Sequence, residues 1–201
     1  MDDTNRRRRA AAIYAAAYDL LAQYGYGGTS MLRIARAAQA SNETLYRWYG
    51  DKDGLFTAMV RENAAETRRL LEAALEGHGD PWDALTALAP VFLRMILGDR
   101  AILLNRAAAA DPTGALGAAI SCGGRQEIQP LISRLMARLC AGTQRDPGQV
   151  TGWFLGILVG DLQVRRIIHD HPPLSDPQIR QRCDTALTTL RLLVGDKTEL
   201  C

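Results

Sequence analysis

The sequence predicts an all-α protein, and three observations support this fold class. Alanine and leucine dominate a chain that is 47% hydrophobic but only 6% aromatic, and this composition favours helix over strand. No run of valine, isoleucine, tyrosine and threonine alternates with polar residues at the period of a strand. Instead, breaks rich in glycine and proline separate segments whose apolar residues recur at helical spacing. With 201 residues, the chain has room for one large or two small domains.

Three short helices are predicted in the first part of the chain. The first has its apolar side chains on one face and ends at Gly25, in the usual role of glycine after a helix. Thr29 or Ser30 can cap the second helix, and Ser41 can cap the third, because their hydroxyl oxygens accept bonds from free backbone N–H groups. The expected helical ranges are about 6–24, 31–38 and 42–48.

A long fourth helix is predicted next, from about residue 52 to residue 76. The segment Gly77-His78-Gly79-Asp80-Pro81 ends it, because glycine and proline both interrupt helices. Similar breaks punctuate the rest of the chain. Further helices are expected at about 82–97, 99–110, 113–121, 124–141, 147–169 and 176–194.

The second and third helices form the most informative pair. They are joined by a tight corner, and the later helix is polar and aromatic, which is how a helix-turn-helix presents one helix to the DNA major groove. Charge agrees with this interpretation. Residues 1–52 hold eight Lys and Arg against five Asp and Glu, whereas the net charge of the whole chain is only +2. A locally basic amino-terminal segment in a nearly neutral chain suits the binding of a polyanion such as DNA.

The same segment contains a longer motif: an Ile-Ala pair, a four-residue turn ending in a capping serine, then Leu-Tyr-x-x-aromatic, then Lys and Leu. Its residues are Ile34-Ala35, Ala38-Gln39-Ala40-Ser41, Leu45-Tyr46-Arg47-Trp48-Tyr49, Lys52 and Leu55-Phe56. In this motif residues 8–60 resemble the amino-terminal domain of TetR-family transcriptional regulators. The resemblance implies a three-helix DNA-binding domain followed by a larger α-helical domain for ligand binding and dimerisation.

The residues expected to contact DNA combine this resemblance with side-chain chemistry. The resemblance implies that aromatic residues of the third helix lie along the DNA backbone. Asn, Glu and Thr at the start of that helix can read base edges, while hydroxyls and an ammonium at helix starts suit phosphates. The basic run 6–9 can reach phosphates or the minor groove as a flexible arm. The expected DNA contacts are Thr29, Ser30, Ser41, Asn42, Glu43, Thr44, Tyr46, Arg47, Trp48 and Lys52.

One position departs from the family pattern. Gln39 stands in the turn where the family commonly has glycine. A left-handed backbone costs a residue with a side chain about 1–2 kcal/mol. The turn is therefore expected either to hold this strain or to change shape.

The remainder of the chain is expected to regulate DNA binding. The resemblance implies a DNA-binding domain over 1–52, a connecting helix over 53–79, and an effector-binding and dimerisation domain over 80–201. It loosely suggests an AcrR- or AefR-like carboxy-terminal domain. An effector between the fourth helix and the regulatory helices would change the spacing of the DNA-reading helices in a population shift. The candidate effector-binding residues are Phe92, Met95, Leu104, Arg106 and Phe154.

A homodimer is predicted, because two recognition helices related by a two-fold axis read a palindromic operator. Three glycines spaced four apart would allow close helix approach, and the last helix would supply apolar area to a four-helix bundle. The alternative is that this face packs only inside one subunit. The expected interface residues are Gly152, Trp153, Gly156, Ile157, Gly160, Val164, Ile179, Cys183, Leu187 and Leu190.

Other classes of function find little support in the sequence. The four cysteines (Cys122, Cys140, Cys183 and Cys201) are too widely spaced for a zinc site or a disulfide framework, and isolated thiols fit a reducing cytoplasm. No metal site, cofactor, catalytic constellation or membrane partner is expected. We therefore interpret the chain as a cytoplasmic, homodimeric repressor that binds double-stranded DNA and a small-molecule effector. A helical interaction module without DNA binding and a small helical enzyme are the alternatives.

Overall fold

A computed structural model describes residues 3–195, and Cys201 lies outside the described residues. Within this range the chain forms twelve α-helices and one π-helix, and no strand occurs among the described residues, which confirms the all-α fold class. None of these helices is both long and apolar enough to cross a lipid bilayer. The chain divides into two compact units, each with its own hydrophobic core.

The first unit joins the described residues up to Asn63 with the segment Asp99–Arg125. Its core includes Ile34, Leu45 and Phe56, whose side chains are fully buried. Burying side chains of this size typically stabilises a fold by about 1.5–3 kcal/mol each. Its helices are α1 (Asp3–Gly28), α2 (Met31–Ala37), α3 (Asn42–Tyr49), α4 (Lys52–Asn63), α7 (Asp99–Ala109), α8 (Ala115–Ile120) and the π-helix (Ser121–Arg125).

The second unit joins Ala64–Gly98 with the chain that follows Arg125. Its core packs the helices Ala65–Glu76 and Pro81–Leu97 against Gln126–Leu139, and Pro147–Val159 against Asp176–Val194. Leu85, Leu93 and Phe154 are among its fully buried side chains. Its helices are α5 (Ala65–Glu76), α6 (Pro81–Leu97), α9 (Gln126–Leu139), α10 (Pro147–Val159), α11 (Leu162–Ile167) and α12 (Asp176–Val194).

Two of the helices expected from the sequence are each divided in two. The predicted fourth helix is interrupted at Ala64 (φ −93°, ψ −1°), so that α4 ends at Asn63 and α5 begins at Ala65. The helix expected over 147–169 ends at Gly160, which has a positive φ of 53°. Glycine adopts this conformation without the steric penalty that a Cβ would bring, and it therefore stops α10.

The chain passes between the two units three times, after Asn63, Gly98 and Arg125. Residues 99–125 therefore belong to the same compact unit as the helix-turn-helix, where α7 packs on α1 and α8 packs on α4. The π-helix also packs on α4, and a Cβ placed on Gly123 would lie only 2.5 Å from the Thr57 carbonyl oxygen. The proposed functional boundary at residue 80 thus differs from the division of the chain into compact units.

Tyr18 of α1 makes the stability of the first unit sensitive to alkaline pH. Burial raises the pKa of its phenol to about 12, while the nearby Arg100 opposes that rise. The folded state therefore holds the phenolic proton more tightly than the unfolded chain, whose tyrosines have a pKa near 10. The contribution is present below pH 10 and is lost as the pH rises towards 12.

We therefore expect the urea midpoint of the protein to fall between pH 9 and pH 11. Tyr18→Phe has no ionisable phenol, and its midpoint should fall less over the same range. Equal pH dependence in the two proteins would show that Tyr18 does not contribute to this loss of stability.

Candidate nucleic-acid interface

Serine caps fix the starts of both helices of the helix-turn-helix. The Oγ of Ser30 accepts a hydrogen bond from the backbone N–H of Arg33 at 3.3 Å at the start of α2. The Oγ of Ser41 does the same for the N–H of Thr44 at 3.1 Å at the start of α3. Each cap satisfies a backbone donor that the first helical turn leaves free, and such caps contribute about 1 kcal/mol.

The corner between α2 and α3 keeps its left-handed residue. Gln39 has a φ of 50°, and its N–H donates to the Arg36 carbonyl, while the Ala40 N–H donates to the Ala35 carbonyl. These two bonds form a Schellman motif, in which glycine is usually found at the left-handed position. The turn therefore holds the strain that the sequence indicated and does not change shape to avoid it.

Gln39→Gly should consequently raise the free energy of unfolding by about 1 kcal/mol. Relief of the left-handed strain is worth about 1–2 kcal/mol, and the greater freedom of glycine in the unfolded chain offsets part of it. Chemical denaturation measures the difference. Gln39→Ala is the control, because it retains the Cβ and should show no such gain. A glycine variant no more stable than the alanine variant would contradict the strain argument.

The exposed face of α3 carries the side chains that are free to read bases. Asn42 is exposed in the first turn of α3. Glu43 and Arg47 are both exposed and form a loose ion pair at 3.9 Å. Such surface pairs are worth little, so both groups remain available to another partner. Half of the Tyr46 surface is exposed, whereas the Thr44 hydroxyl bonds that of Ser41 at 2.7 Å.

The joint between α3 and α4 sets the position of α3. Gly50, with a φ of 80°, ends α3, and the Asp51 carboxylate accepts from the Gly54 N–H at 2.7 Å in the first turn of α4. A Cβ placed on Gly54 would overlap the Tyr49 carbonyl oxygen. The two helices therefore approach each other at a point where only glycine fits.

Two of the expected phosphate contacts are held inside the domain. Thr29 is buried, and its hydroxyl donates to the Gly25 carbonyl at 2.8 Å, because the loop needs this bond where α1 is interrupted. The Lys52 ammonium donates to the Tyr26 carbonyl at 3.0 Å and lies 3.8 Å from the centre of the Tyr26 ring. Ser30, by contrast, is exposed at the start of α2.

Tyr26 is the centre of this internal cluster. Its hydroxyl donates to the Asp53 carboxylate, and its ring meets Phe56 edge-on at 5.1 Å. Burial and this hydrogen bond to a carboxylate both raise the pKa of Tyr26, so the phenol stays protonated. The cluster ties the end of α1, after the kink at Gly25, to the first turns of α4, and the sequence analysis did not identify it.

The basic run 6–9 is helical in the structure. The expectation of a flexible arm was wrong, because α1 already begins at Asp3 and includes all four arginines. Arg6 and Arg9 contact the helix-turn-helix. Arg6 lies over the ring of Trp48 at 5.5 Å, and Arg9 donates to the Gln39 carbonyl at 3.5 Å.

Comparison with known proteins agrees with this geometry. Residues 13–59 match the family model of bacterial regulatory proteins of the tetR family. The amino-terminal segment is a TetR-type helix-turn-helix domain. The HTH-type transcriptional repressor Rv3405c of Mycobacterium tuberculosis is 35% identical over 85 residues. That match covers 38% of this chain and 45% of the repressor, so it spans less than half the length of this curated relative.

TetR-type architecture also extends beyond this segment. The crystal structure of a TetR transcriptional regulator from Agrobacterium tumefaciens superposes with a TM-score of 0.71 and 27% identity, over 94% of this chain and 95% of that one. FadR from Bacillus subtilis, solved in complex with stearoyl-CoA, gives a TM-score of 0.67 over 90% and 96% of the two chains. Its identity of 12% shows a shared fold alone.

The candidate effector residues fall in both compact units. Phe92 and Phe154 are buried in the core of the second unit, and Met95 packs against that core and accepts a hydrogen bond from Thr67. Leu104 is buried in the first unit, and Arg106 is half-buried on α7 of the same unit. The structure therefore brings three of the five candidates into one unit.

The candidate dimer residues divide into a buried group and an exposed group. Ile179, Cys183, Leu187 and Leu190 lie in the core of the second unit, because α12 packs its apolar stripe against α10 and α6. Gly160 caps α10, so it does not continue the glycine face of that helix. The group that reaches the surface consists of the exposed Gly152, Gly156 and Val164 and the half-buried Trp153 and Ile157.

Proposed function

We propose that this protein is a homodimeric DNA-binding transcriptional regulator, a repressor that a small-molecule effector releases from a palindromic operator. The observation that carries the proposal is the TetR-type domain with α3 held between Ser41 and the Gly54 joint while Asn42, Glu43, Tyr46 and Arg47 remain exposed. A rigid polar helix of this kind suits direct readout in the major groove. A finer assignment to AcrR- or AefR-like regulators is part of the proposal.

Dimerisation through α10 is supported by its open glycine face. A Cβ on Gly152 or Gly156 would meet nothing within 4 Å, so this backbone is bare and unobstructed. Each glycine costs a helix about 1 kcal/mol, which close packing against a partner helix can offset. Exposed apolar side chains of the same unit, Ile168 and Leu192, add area that the sequence analysis did not include.

Regulation is proposed to enter the DNA-binding unit through residues 99–125. These residues pack on α1 and α4 within one compact unit, so a rearrangement of α7, α8 or the π-helix acts directly on the helices that carry α3. A π-helix is uncommon and often marks a functional position. The functional segments remain those proposed from the sequence, with DNA binding in 1–52, connection in 53–79 and regulation in 80–201.

The proposal is tested by selecting bound sequences from random DNA duplexes and by sedimentation of the free protein. We expect a dimer and an enriched inverted repeat whose half-sites are centred about 34–36 Å apart. Binding should weaken steeply with added salt, as phosphate contacts require. Enrichment of no sequence, together with no salt-dependent binding to any duplex, would favour a helical interaction module instead.

A further inference from the structure

The four arginines of the basic run are not equivalent in the structure. Residues spaced three or four apart share one face of a helix. Arg6 and Arg9 extend the face of α1 that buries Ile13 and Ala17. Arg8 lies off this face, and its guanidinium donates to Asn5 of the same helix at 3.1 Å. The helix therefore turns Arg6 and Arg9 towards the helix-turn-helix.

Arg6 rests on an aromatic group that is itself held in place. The Trp48 ring lies 6.2 Å from that of Tyr49, edge to face, and Tyr49 lies 6.0 Å from Tyr14 of α1. Trp48 is half-buried in this group, with the Arg6 guanidinium over its ring. Its indole face is thus covered by an arginine, which distinguishes it from the exposed ring of Tyr46 on the same helix.

A guanidinium stacked on a ring keeps its N–H groups free at the edge. The Arg6 side chain is exposed, and the N–H groups at the edge of the stack can donate to an anion. Arg6 lies beside the carboxyl-terminal half of α3. A helix with its side chains is about 10–12 Å across, and a major groove is about 12 Å wide, so groups that flank a helix in the groove lie close to the phosphates at its edge.

We propose that Arg6 binds a DNA phosphate and that the Trp48 ring preorganises its guanidinium. DNA binding then depends on a stacked pair whose arginine lies outside the helix-turn-helix segment. This inference rests on the proposed function. Trp48 acts as a positioning residue in this arrangement, and its ring is the platform for Arg6. Stacking fixes a long side chain before DNA arrives, which lowers the conformational entropy lost on binding.

The experiment measures binding to a selected duplex and to an unrelated duplex over a range of salt concentrations. The proteins are the full chain and its variants Arg6→Ala, Arg6→Lys, Trp48→Leu, Arg8→Ala and the double variant Arg6→Ala/Trp48→Leu. Arg6→Lys keeps the charge without the planar group, and Trp48→Leu keeps apolar volume without the ring. Arg8→Ala removes one charge of the same run, and circular dichroism checks that every variant is folded.

Arg6→Ala should weaken binding to both duplexes by the same factor, about tenfold. The slope of log K against log salt should fall by about 1.8, because each subunit of a dimer loses one phosphate contact. Arg6→Lys should recover only part of the affinity. Trp48→Leu should also weaken binding, and the double variant should bind no more weakly than Arg6→Ala.

The inference is overturned if the Arg6 and Arg8 variants lose equal affinity, or if the effects of Arg6→Ala and Trp48→Leu add. A loss confined to the selected duplex would equally overturn it, because that result means that Arg6 only orients α3. If the unmodified protein binds neither duplex, the proposed function itself fails. These outcomes separate failure of the inference from failure of the function.

Discussion

Replacing Gly54 with alanine should lower the free energy of unfolding by about 3 kcal/mol and abolish high-affinity operator binding. The added Cβ would overlap the carbonyl oxygen of Tyr49 at the end of α3, and it would also press on the Asp51 carboxylate. Forcing extra volume into a close-packed contact typically costs about 1–3 kcal/mol. The contact here is with backbone, which has no rotamer to change, so the upper end is expected.

The loss of DNA binding has the same cause. Relief of the overlap requires α3 to move away from α4, and α3 carries the exposed Asn42 and Arg47. Denaturant unfolding and a duplex-binding assay measure the two effects on one protein preparation.

Gly117→Ala provides the matched control for this substitution. Gly117 also lies in a helix of the first unit, α8, but a Cβ there would meet nothing within 4 Å. Alanine favours helix over glycine, so this variant should gain up to about 1 kcal/mol. If Gly54→Ala proved as stable as the unmodified chain, the close approach of α3 and α4 would not be as the structure describes.

Asn42→Ala should weaken binding to the selected operator by at least about 30-fold while leaving the fold intact. A two-pronged bond between an asparagine amide and adenine is worth about 1–3 kcal/mol of discrimination. A symmetric dimer loses this bond twice, or about 2–6 kcal/mol. Asn42 suits the test because its side chain is exposed, so its removal should cost little stability.

The effect should be specific to sequence. Affinity for an unrelated duplex should change little, and a repeat of the selection with the variant should show a relaxed preference at one base pair in each half-site. Gln181→Ala changes an exposed residue of α12 and is the control for preparing and assaying a variant. It should bind the selected operator as tightly as the unmodified protein. An equal loss on both duplexes would show that Asn42 contacts the backbone and reads no base.

Most of the first unit was predictable because its signals are local. In 1–52 the structure has both serine caps, at Ser30 and Ser41, and the stop at Gly50. At Gly25, where a helix end was predicted, α1 is kinked but continues to Gly28. The left-handed Gln39 was also foreseeable from its place in the turn.

The features that the sequence did not reveal depend on tertiary contacts. The break at Ala64 has no glycine or proline beside it, so no local signal separates α4 from α5. Whether Arg6 meets Trp48 depends on how α1 lies against the later helices. The Gly54 contact was equally hidden, because a glycine in a first helical turn gives no sign of what lies opposite it.

Because the chain passes between the two units three times, no single continuous fragment contains the whole first unit and nothing else. A polypeptide that stopped after Asn63 would retain the complete tetR motif yet lack Leu104, Ala107, Leu116 and Ala119, which complete the core of that unit. Such a truncated protein would expose the apolar surfaces of α1 and α4 to water, and we expect it to aggregate. Domain-exchange experiments that graft only the first quarter of the chain onto another regulator should therefore transfer the DNA-reading helix without its support.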